Sequence, residues 1–135
     1  MLVLDASVTL AWCFEDEAVD LADRVLDRLG AVEAMTPAIW PCEVANGIRT
    51  AERRGRLDPA EIPRLRELLR ALPIRVMPLN IEAALAETLD LARRLDLSAY
   101  DAAYLGLALE RALPLATIDA RLAQAARRSG VELVA

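Results

Sequence analysis

The chain has 135 residues, of which 56% are hydrophobic, and a formal net charge of −5. This length predicts one domain with a sizeable core, and the negative charge excludes a strongly basic protein that coats nucleic acid. The chain has no histidine and all 16 basic residues are arginine, which excludes Ser–His and Cys–His nucleophile pairs, Schiff-base lysines and Walker-A lysines.

The first half of the chain opens with an unbroken apolar run, Leu2-Val3-Leu4, of the kind found in buried parallel strands. Apolar residues at helical spacing follow and stop at Gly30, and a further helix begins at proline. In chain order, the predicted elements are strand 2–5, helices 6–14 and 16–29, strand 33–38 and helix 41–54.

Helix-starting residues recur in the second half of the chain. Asp58, Asn80, Ser98 and Asp119 each stand where a helix N-cap is expected. Strands separated by helices predict an α/β fold, a parallel sheet with helices on both faces, in one domain covering residues 1–135. In chain order, the predicted elements are helix 58–71, strand 74–77, helices 80–94 and 98–111, strand 115–118, helix 119–129 and strand 131–134.

Four acidic residues occupy positions that suggest chemistry. Asp5 and Asp119 each follow a predicted strand, and Glu43 and Asp101 lie in the first turns of predicted helices. Right-handed crossovers place all carboxyl ends of parallel strands at one edge of the sheet, where ligands bind. Crowded carboxylates repel one another unless a cation joins them, and oxygen ligands suit Mg²⁺ or Mn²⁺. These four residues, the acidic quartet, therefore predict a divalent metal site.

Each member of the acidic quartet also has a purely structural interpretation. Asp5 and Asp119 stand at N-cap positions. Asp101 fits a capping box, and Glu43 favours the helix dipole. Two features favour a site: Asp101 lies in an almost apolar helix, where a lone acid is costly to bury. Gly47, one turn after Glu43, is interpreted as opening space beside that acid at a cost in helix propensity.

Four short motifs then follow one another along the chain: Val-Leu-Asp5-Ala-Ser7, Glu43-Val-Ala-Asn46, Tyr100-Asp101-Ala-Ala-Tyr104 and Ala-Thr117-Ile-Asp119. Each motif is short, but their order and their positions at the ends of elements resemble the PIN-domain nucleases. Within these nucleases, the chain is most similar to the VapC-type toxins of bacterial toxin–antitoxin pairs. The resemblance covers essentially the whole chain.

The resemblance implies a single PIN domain with a five-stranded parallel sheet of order 3-2-1-4-5, in which strands one and four are neighbours. It implies that the acidic quartet is catalytic, binds Mg²⁺ or Mn²⁺ and hydrolyses RNA phosphodiester bonds. It places Ser7, Asn46 and Thr117 as polar residues near the metal. It also implies a homodimer and a cognate antitoxin whose C-terminal segment covers the acidic cleft.

Several other residues have two interpretations each. Arg49 and Arg53 stand one turn apart and could contact RNA phosphates or form a solvated helix end. Trp12 and Trp40 could stack on bases or pack in the core. The apolar face of helix 16–29 is either core or a groove for a partner helix.

Two alternative functions stay open: a PIN nuclease that acts in RNA maturation, and a non-catalytic PIN-like domain that only binds a partner. A phosphatase of the HAD type is disfavoured, because its nucleophile loop needs a second acid where Ser7 stands and usually a lysine. The two cysteines form no disulfide framework. Without a signal peptide or a transmembrane span, we expect a cytoplasmic protein that makes no membrane contact.

Overall fold

The computed structural model describes residues 1–14 and 19–135. Its strands are β1 (Leu2–Leu4), β2 (Ala34–Pro37), β3 (Ile74–Met77) and β4 (Leu115–Ala116). Its α-helices are α1 (Ala6–Cys13), α2 (Asp20–Arg28), α3 (Trp40–Arg53), α4 (Ile62–Ala71), α5 (Ile81–Ala83), α6 (Leu89–Leu95), α7 (Ala99–Arg111) and α8 (Ala120–Arg128). A 3₁₀ turn, Pro59–Glu61, precedes α4, and a π-helical turn, Ala84–Thr88, joins α5 to α6. Across the described residues, no helix is long and apolar enough to cross a membrane.

The four strands form one parallel sheet in the order β3-β2-β1-β4. Leu2 of the central strand pairs with Ala34 of β2, and Leu4 pairs with Ala116 of β4. All residues of β1 are fully buried, although successive side chains of a strand point to opposite faces. Both faces of the sheet are therefore covered at β1, and the predicted order of the first four strands is confirmed.

The predicted fifth strand is wrong. Residues 131–134 make only an isolated parallel bridge, between Leu115 and Leu133. Their neighbour β4 has just two residues, and of these only Leu115 faces them: its N–H donates to the Glu132 carbonyl (2.9 Å) and its carbonyl accepts from the Val134 N–H (3.0 Å). Ala116 faces β1 instead, since its carbonyl accepts from the Asp5 N–H, so β4 has no second residue with which to extend a ladder.

Helix α7 forms the centre of the core. It packs against β1, β2 and β4, and its Tyr104 and Leu105 are fully buried. Ser98 caps the helix, since its Oγ accepts a hydrogen bond from the Asp101 N–H (3.1 Å). The predicted helix 98–111 is thus confirmed to within one residue. A smaller apolar cluster beside α3 and α4 consists of Cys13, Phe14, Ala51, Leu57 and Leu65.

Helices α1 and α3 approach each other closely at Gly47. A Cβ atom on Gly47 would lie 2.5 Å from Cδ1 of Leu10 and 2.6 Å from its Cδ2. The Leu10 side chain therefore packs directly on the backbone of α3 at Gly47, and a larger residue there would force it to move. The prediction that Gly47 opens space beside Glu43 is wrong, because the Leu10 side chain fills that space.

The apolar face of α2 belongs to the core. Ala22 is 2% exposed and Val25 is fully buried. The carbonyl of Ala22 also accepts a hydrogen bond from Trp12 Nε1 (2.8 Å), which ties α2 to α1. The hypothesis of a groove on helix 16–29 is therefore wrong; positions 16–18 of that prediction lie outside the described residues.

Candidate active site

The neighbouring ends of β1 and β4 bring Asp5 and Asp119 to one edge of the sheet. Asp5 directly follows β1, and its N–H donates to the carbonyl of Ala116 in β4 (3.0 Å). Asp119 stands at the N-cap of α8, where its Oδ1 accepts hydrogen bonds from the N–H groups of Arg121 (2.9 Å) and Leu122 (3.0 Å). Asp119 is therefore a helix cap as well as a candidate site residue, with one oxygen engaged by the backbone.

Two hydroxyl groups hold the Asp5 carboxylate, which is 6% exposed. Ser7 Oγ donates to Asp5 Oδ2 (2.5 Å), and Thr117 Oγ1 donates to the same oxygen (2.7 Å). Each hydroxyl in turn accepts a backbone N–H, Ser7 from Ile118 (3.0 Å) and Thr117 from Asp119 (3.0 Å). These N–H donors direct both hydroxyl protons towards Asp5. Both hydroxyls bind Oδ2, and the backbone N–H of Ala6 gives the carboxylate a further hydrogen bond.

Glu43 is held by a residue that the sequence analysis did not single out. It lies half-buried in the first turn of α3, and its Oε1 accepts a hydrogen bond from the Tyr104 hydroxyl (2.6 Å). Tyr104 is fully buried in α7, one turn after Asp101. Burial and the bond to Glu43 raise the pKa of Tyr104 far above its usual range, so the phenol stays a donor. The sequence signal was a buried tyrosine in an apolar helix, whose hydroxyl must find a partner.

Three members of the acidic quartet have a raised pKa: Asp5, Glu43 and Asp101. Burial raises the pKa of Asp5 despite its two hydroxyl donors, and the charge of Asp119 adds to the rise. Burial likewise raises the pKa of Glu43 and of Asp101, and the charge of Asp5 adds to both. Three carboxylates are thus costly to ionise where they stand, and a bound cation would remove much of that cost.

The donor set of this site suits a divalent ion. Within residues 1–14 and 19–135, no three Asp, Glu, Cys or His side chains have converged as ligands of one ion. Mg²⁺ does not need three, because it usually keeps several waters and binds one or two carboxylates together with substrate phosphates. The site offers only carboxylate oxygens, which fit Mg²⁺ or Mn²⁺ and do not fit softer metals.

Arg121 is a second residue that the sequence analysis missed as part of the site. Its charge opposes the rise in the pKa of Asp101 that burial causes. Its Nη2 donates to the carbonyl oxygen of Asp96 (2.7 Å) and to a carboxylate oxygen of the same residue (3.2 Å). Arg121 therefore brings one fixed positive charge to the rim of an acidic cleft. Its sequence signal was its position two residues after Asp119.

The remaining predicted site residues lie further along α3. Asn46, Arg49 and Arg53 are all exposed. Arg49 Nη1 lies 3.7 Å from Glu52 Oε1, an ion pair that also fits the solvated helix end. Contacts of these residues with metal or RNA stay predictions.

Trp40 belongs to the core. It is 9% exposed, and its Nε1 donates to Thr9 Oγ1 (3.1 Å), a hydroxyl that is itself fully buried. The interpretation of Trp40 as a base-stacking residue is therefore wrong, and the packing interpretation is right.

The parallel sheet and the carboxylates at the adjoining ends of β1 and β4 define a class of protein. The family model described as PIN domain matches residues 2–128. The chain belongs to the PIN-domain family, as the resemblance of its four motifs predicted.

The chain is similar in sequence to proteins that are named as ribonucleases. The chain is 32% identical over 122 residues to the VapC ribonuclease Mb0985 of Mycobacterium bovis, covering 90% of this chain and 88% of that protein. The ribonuclease VapC9 of Mycobacterium tuberculosis matches with the same identity and coverage.

Solved structures share the fold at lower identity. PAE2754 from Pyrobaculum aerophilum has a TM-score of 0.70 at 23% identity, over 92% of this chain and 83% of that one. FitAcB from Neisseria gonorrhoeae has a TM-score of 0.65 at 20% identity, over 100% and 97%. A toxin–antitoxin complex from Klebsiella pneumoniae has a TM-score of 0.62 at 17% identity, over 88% and 87%.

Proposed function

We propose that this protein is a ribonuclease that hydrolyses RNA phosphodiester bonds with Mg²⁺ or Mn²⁺, and that it acts as the toxin of a toxin–antitoxin pair. The observation that carries the proposal is the buried Asp5 carboxylate, which is oriented by Ser7 and Thr117 and whose charge interacts with those of Asp119, Glu43 and Asp101. Repulsion between neighbouring carboxylates destabilises a site that has only a structural role. In a metal site, the same crowded negative charge strengthens binding of the cation. The names of the relatives, VapC ribonuclease and ribonuclease VapC9, support RNA as the substrate.

The residues have distinct roles in the proposed reaction. Asp5, Asp101 and Asp119 would hold the ion, and Glu43 would hold a second ion or orient the attacking water. Ser7 and Thr117 fix the orientation of the Asp5 carboxylate through its Oδ2 atom. A bound divalent ion supplies a more acidic water and neutralises charge on the phosphate and the leaving oxygen. Arg49 and Arg53 would contact RNA phosphates.

The first test compares variants of the acidic quartet with wild type. Asp5→Asn and Asp101→Asn keep side-chain size and remove the charge, and each should lower RNA cleavage with Mg²⁺ or Mn²⁺ by at least about a hundred-fold. Asp90→Asn is a matched control, because Asp90 is exposed and pairs with Arg94 (3.0 Å). A wild type that cleaves no RNA with either ion, or quartet variants as active as Asp90→Asn, contradicts the proposal.

The toxin role has its own test. Wild type expressed alone should stop bacterial growth, whereas Asp5→Asn expressed to the same level should not. Co-expression of a small neighbouring gene that encodes the antitoxin should restore growth. Normal growth with active wild type would instead favour the RNA-maturation role, and normal growth with no RNA cleavage would favour a PIN-like domain that only binds a partner.

We also propose that the protein is a homodimer. Apolar side chains are exposed around the helix that contains the π-helical turn: Ile81 is 70% exposed and Leu85 is 64% exposed. They are one helical turn apart and form what we call the apolar ridge. A second copy of the chain would cover these side chains and remove their contact with water.

A further inference from the structure

Tyr104 and Glu43 form a contact that the proposed roles of the acidic quartet leave without a purpose. Tyr104 is the largest fully buried side chain of the described residues, and its hydroxyl donates to Glu43 Oε1 at 2.6 Å. The two residues are 61 positions apart, so the bond joins the first turn of α3 to the middle of α7. A neutral phenol that donates to a carboxylate makes a short, charge-assisted hydrogen bond of the strong kind.

We propose that Tyr104 is a positioning residue, which holds the Glu43 carboxylate in one orientation and leaves Oε2 available for an ion or the attacking water. The inference rests on the proposed function and gives a physical cause for the orientation of one of its four acids. Asp5 follows a strand and is held by two hydroxyls, whereas Glu43 is on a longer side chain at a helix start. A free glutamate has several rotamers, and one fixed donor from the core selects among them.

A purely structural role for the hydroxyl accounts less well for the same contact. Phenylalanine would fill the same volume in α7 and would bring no polar group into a fully buried position. A buried tyrosine hydroxyl requires a hydrogen-bond partner, and here the partner is the half-buried Glu43 carboxylate. Burial also raises the pKa of Glu43 and so makes this carboxylate harder to ionise. The hydroxyl therefore adds a polar group to the core, and its effect is to orient Glu43, whose charge interacts with those of Asp5 and Asp101.

The test compares two tyrosines on the same helix. Tyr104→Phe removes the buried hydroxyl, and Tyr100→Phe removes a hydroxyl from a side chain that is 58% exposed. Isothermal titration calorimetry measures binding of Mg²⁺ and Mn²⁺ alone, and RNA cleavage gives kcat and KM. We expect Tyr104→Phe to weaken metal binding or kcat by about ten-fold or more, with KM for RNA nearly unchanged. Tyr100→Phe should match wild type.

A double-substitution cycle shows whether the effect acts through Glu43. Glu43→Gln should itself lower kcat, and adding Tyr104→Phe to it should cause no further loss. The proposal is overturned if Tyr104→Phe equals wild type in both metal binding and kcat, or if the two losses multiply. It is also overturned if wild type binds neither ion. If wild type binds the ions but cleaves no RNA, the proposed function fails while calorimetry still decides the role of Tyr104.

A measurement on wild type covers the case in which Tyr104→Phe does not fold. The Tyr104 hydroxyl proton is buried, so it should exchange slowly enough to give a proton NMR signal, unlike that of the exposed Tyr100. Addition of Mg²⁺ should change the chemical shift of this signal, because the Glu43 carboxylate that accepts the hydrogen bond gains a cation on its other oxygen. The inference would be contradicted if no slowly exchanging signal is found, or if Mg²⁺ does not change its chemical shift.

Discussion

Asp5 and Asp119 are both acids at strand ends, yet their surroundings assign their oxygens differently. Asp119 uses Oδ1 to cap α8, whereas Asp5 gives Oδ2 to two hydroxyls. In each case two neighbouring donors converge on one identified oxygen and so fix the orientation of the carboxylate. The hydroxyls also moderate the pKa of Asp5, because hydrogen bonds to an ionised carboxylate stabilise that form.

A first prediction concerns the pH dependence of cleavage. Thr117→Val removes one of the hydrogen bonds that lower the pKa of Asp5, so this pKa should rise further. Since the ionised form binds the cation, the acidic limb of the pH–rate profile should move to higher pH. Thr117→Ser keeps a hydroxyl and should leave the limb in place. Coincident profiles for Thr117→Val and wild type would show that the hydroxyl does not act on Asp5.

A second prediction concerns stability without metal. Burial raises the pKa of folded Asp5 above its usual 3.8, so the ionised carboxylate destabilises the folded state at neutral pH. Asp5→Asn should therefore have a higher free energy of unfolding than wild type in chelator at neutral pH. The gain should shrink as the pH falls through the folded-state pKa and vanish below the unfolded value, where wild type is also neutral.

Urea unfolding of the two proteins at several pH values measures this difference. Added Mg²⁺ should stabilise wild type at neutral pH and have little effect on Asp5→Asn. An Asp5→Asn protein that is less stable than wild type in chelator at neutral pH would contradict the prediction.

At the scale of elements, Gly47 shows how packing can outweigh helix propensity. Gly47→Ala gains about 1 kcal/mol of propensity, but the new Cβ would meet Leu10 at 2.5 Å. Overpacking costs about 1–3 kcal/mol, so we expect a net loss of stability in urea unfolding. Gly106→Ala is the control, because its Cβ would meet Leu91 at an ordinary 3.7 Å and the substitution should stabilise.

A rescue substitution makes the Gly47 prediction specific. Leu10→Ala shortens the side chain that occupies the space, so Gly47→Ala should cost less, or stabilise, in that background. Equal effects of Gly47→Ala in the two backgrounds would show that Leu10 is not the obstacle.

The elements that the sequence predicted well are those with a local start signal. Asp58, Asn80, Ser98 and Asp119 were predicted as N-caps, and each side chain accepts a backbone N–H of the helix that follows it. Strand length has no such signal. Residues 131–134 have a strand-like pattern, but the two-residue β4 presents only Leu115 to them, so the pairing stops at one bridge.

The candidate site likewise contains residues that the sequence predicted and residues that it did not. The acidic quartet could be picked from strand ends and helix starts, since topology alone brings those positions to one edge. Tyr104 and Arg121 could not, because their contribution depends on contacts between α7 and α3 and between α8 and the end of α6. Such contacts follow from side-chain packing, which leaves only a weak trace in a single sequence.

At the scale of the whole molecule, the apolar ridge predicts how copies associate. Leu85→Glu places a charge on a side chain that is 64% exposed, so the monomer fold should be unaffected while the dimer is lost. Light scattering during gel filtration measures the mass, and circular dichroism verifies the fold. Glu82→Gln, on the exposed helix start nearby, should stay dimeric. A Leu85→Glu protein with the mass of wild type would place the interface elsewhere.

The hydrogen bond from Thr117 to Asp5 joins positions 112 residues apart in the chain. During synthesis, Asp5 is therefore made long before Thr117. Until then the growing chain contains neither the Thr117 hydroxyl nor the Asp119 carboxylate. The acidic quartet therefore comes together only after residue 119 has been synthesised, when β4 reaches β1. The order of the acidic residues along the chain thus delays the proposed activity until Asp119 has been synthesised.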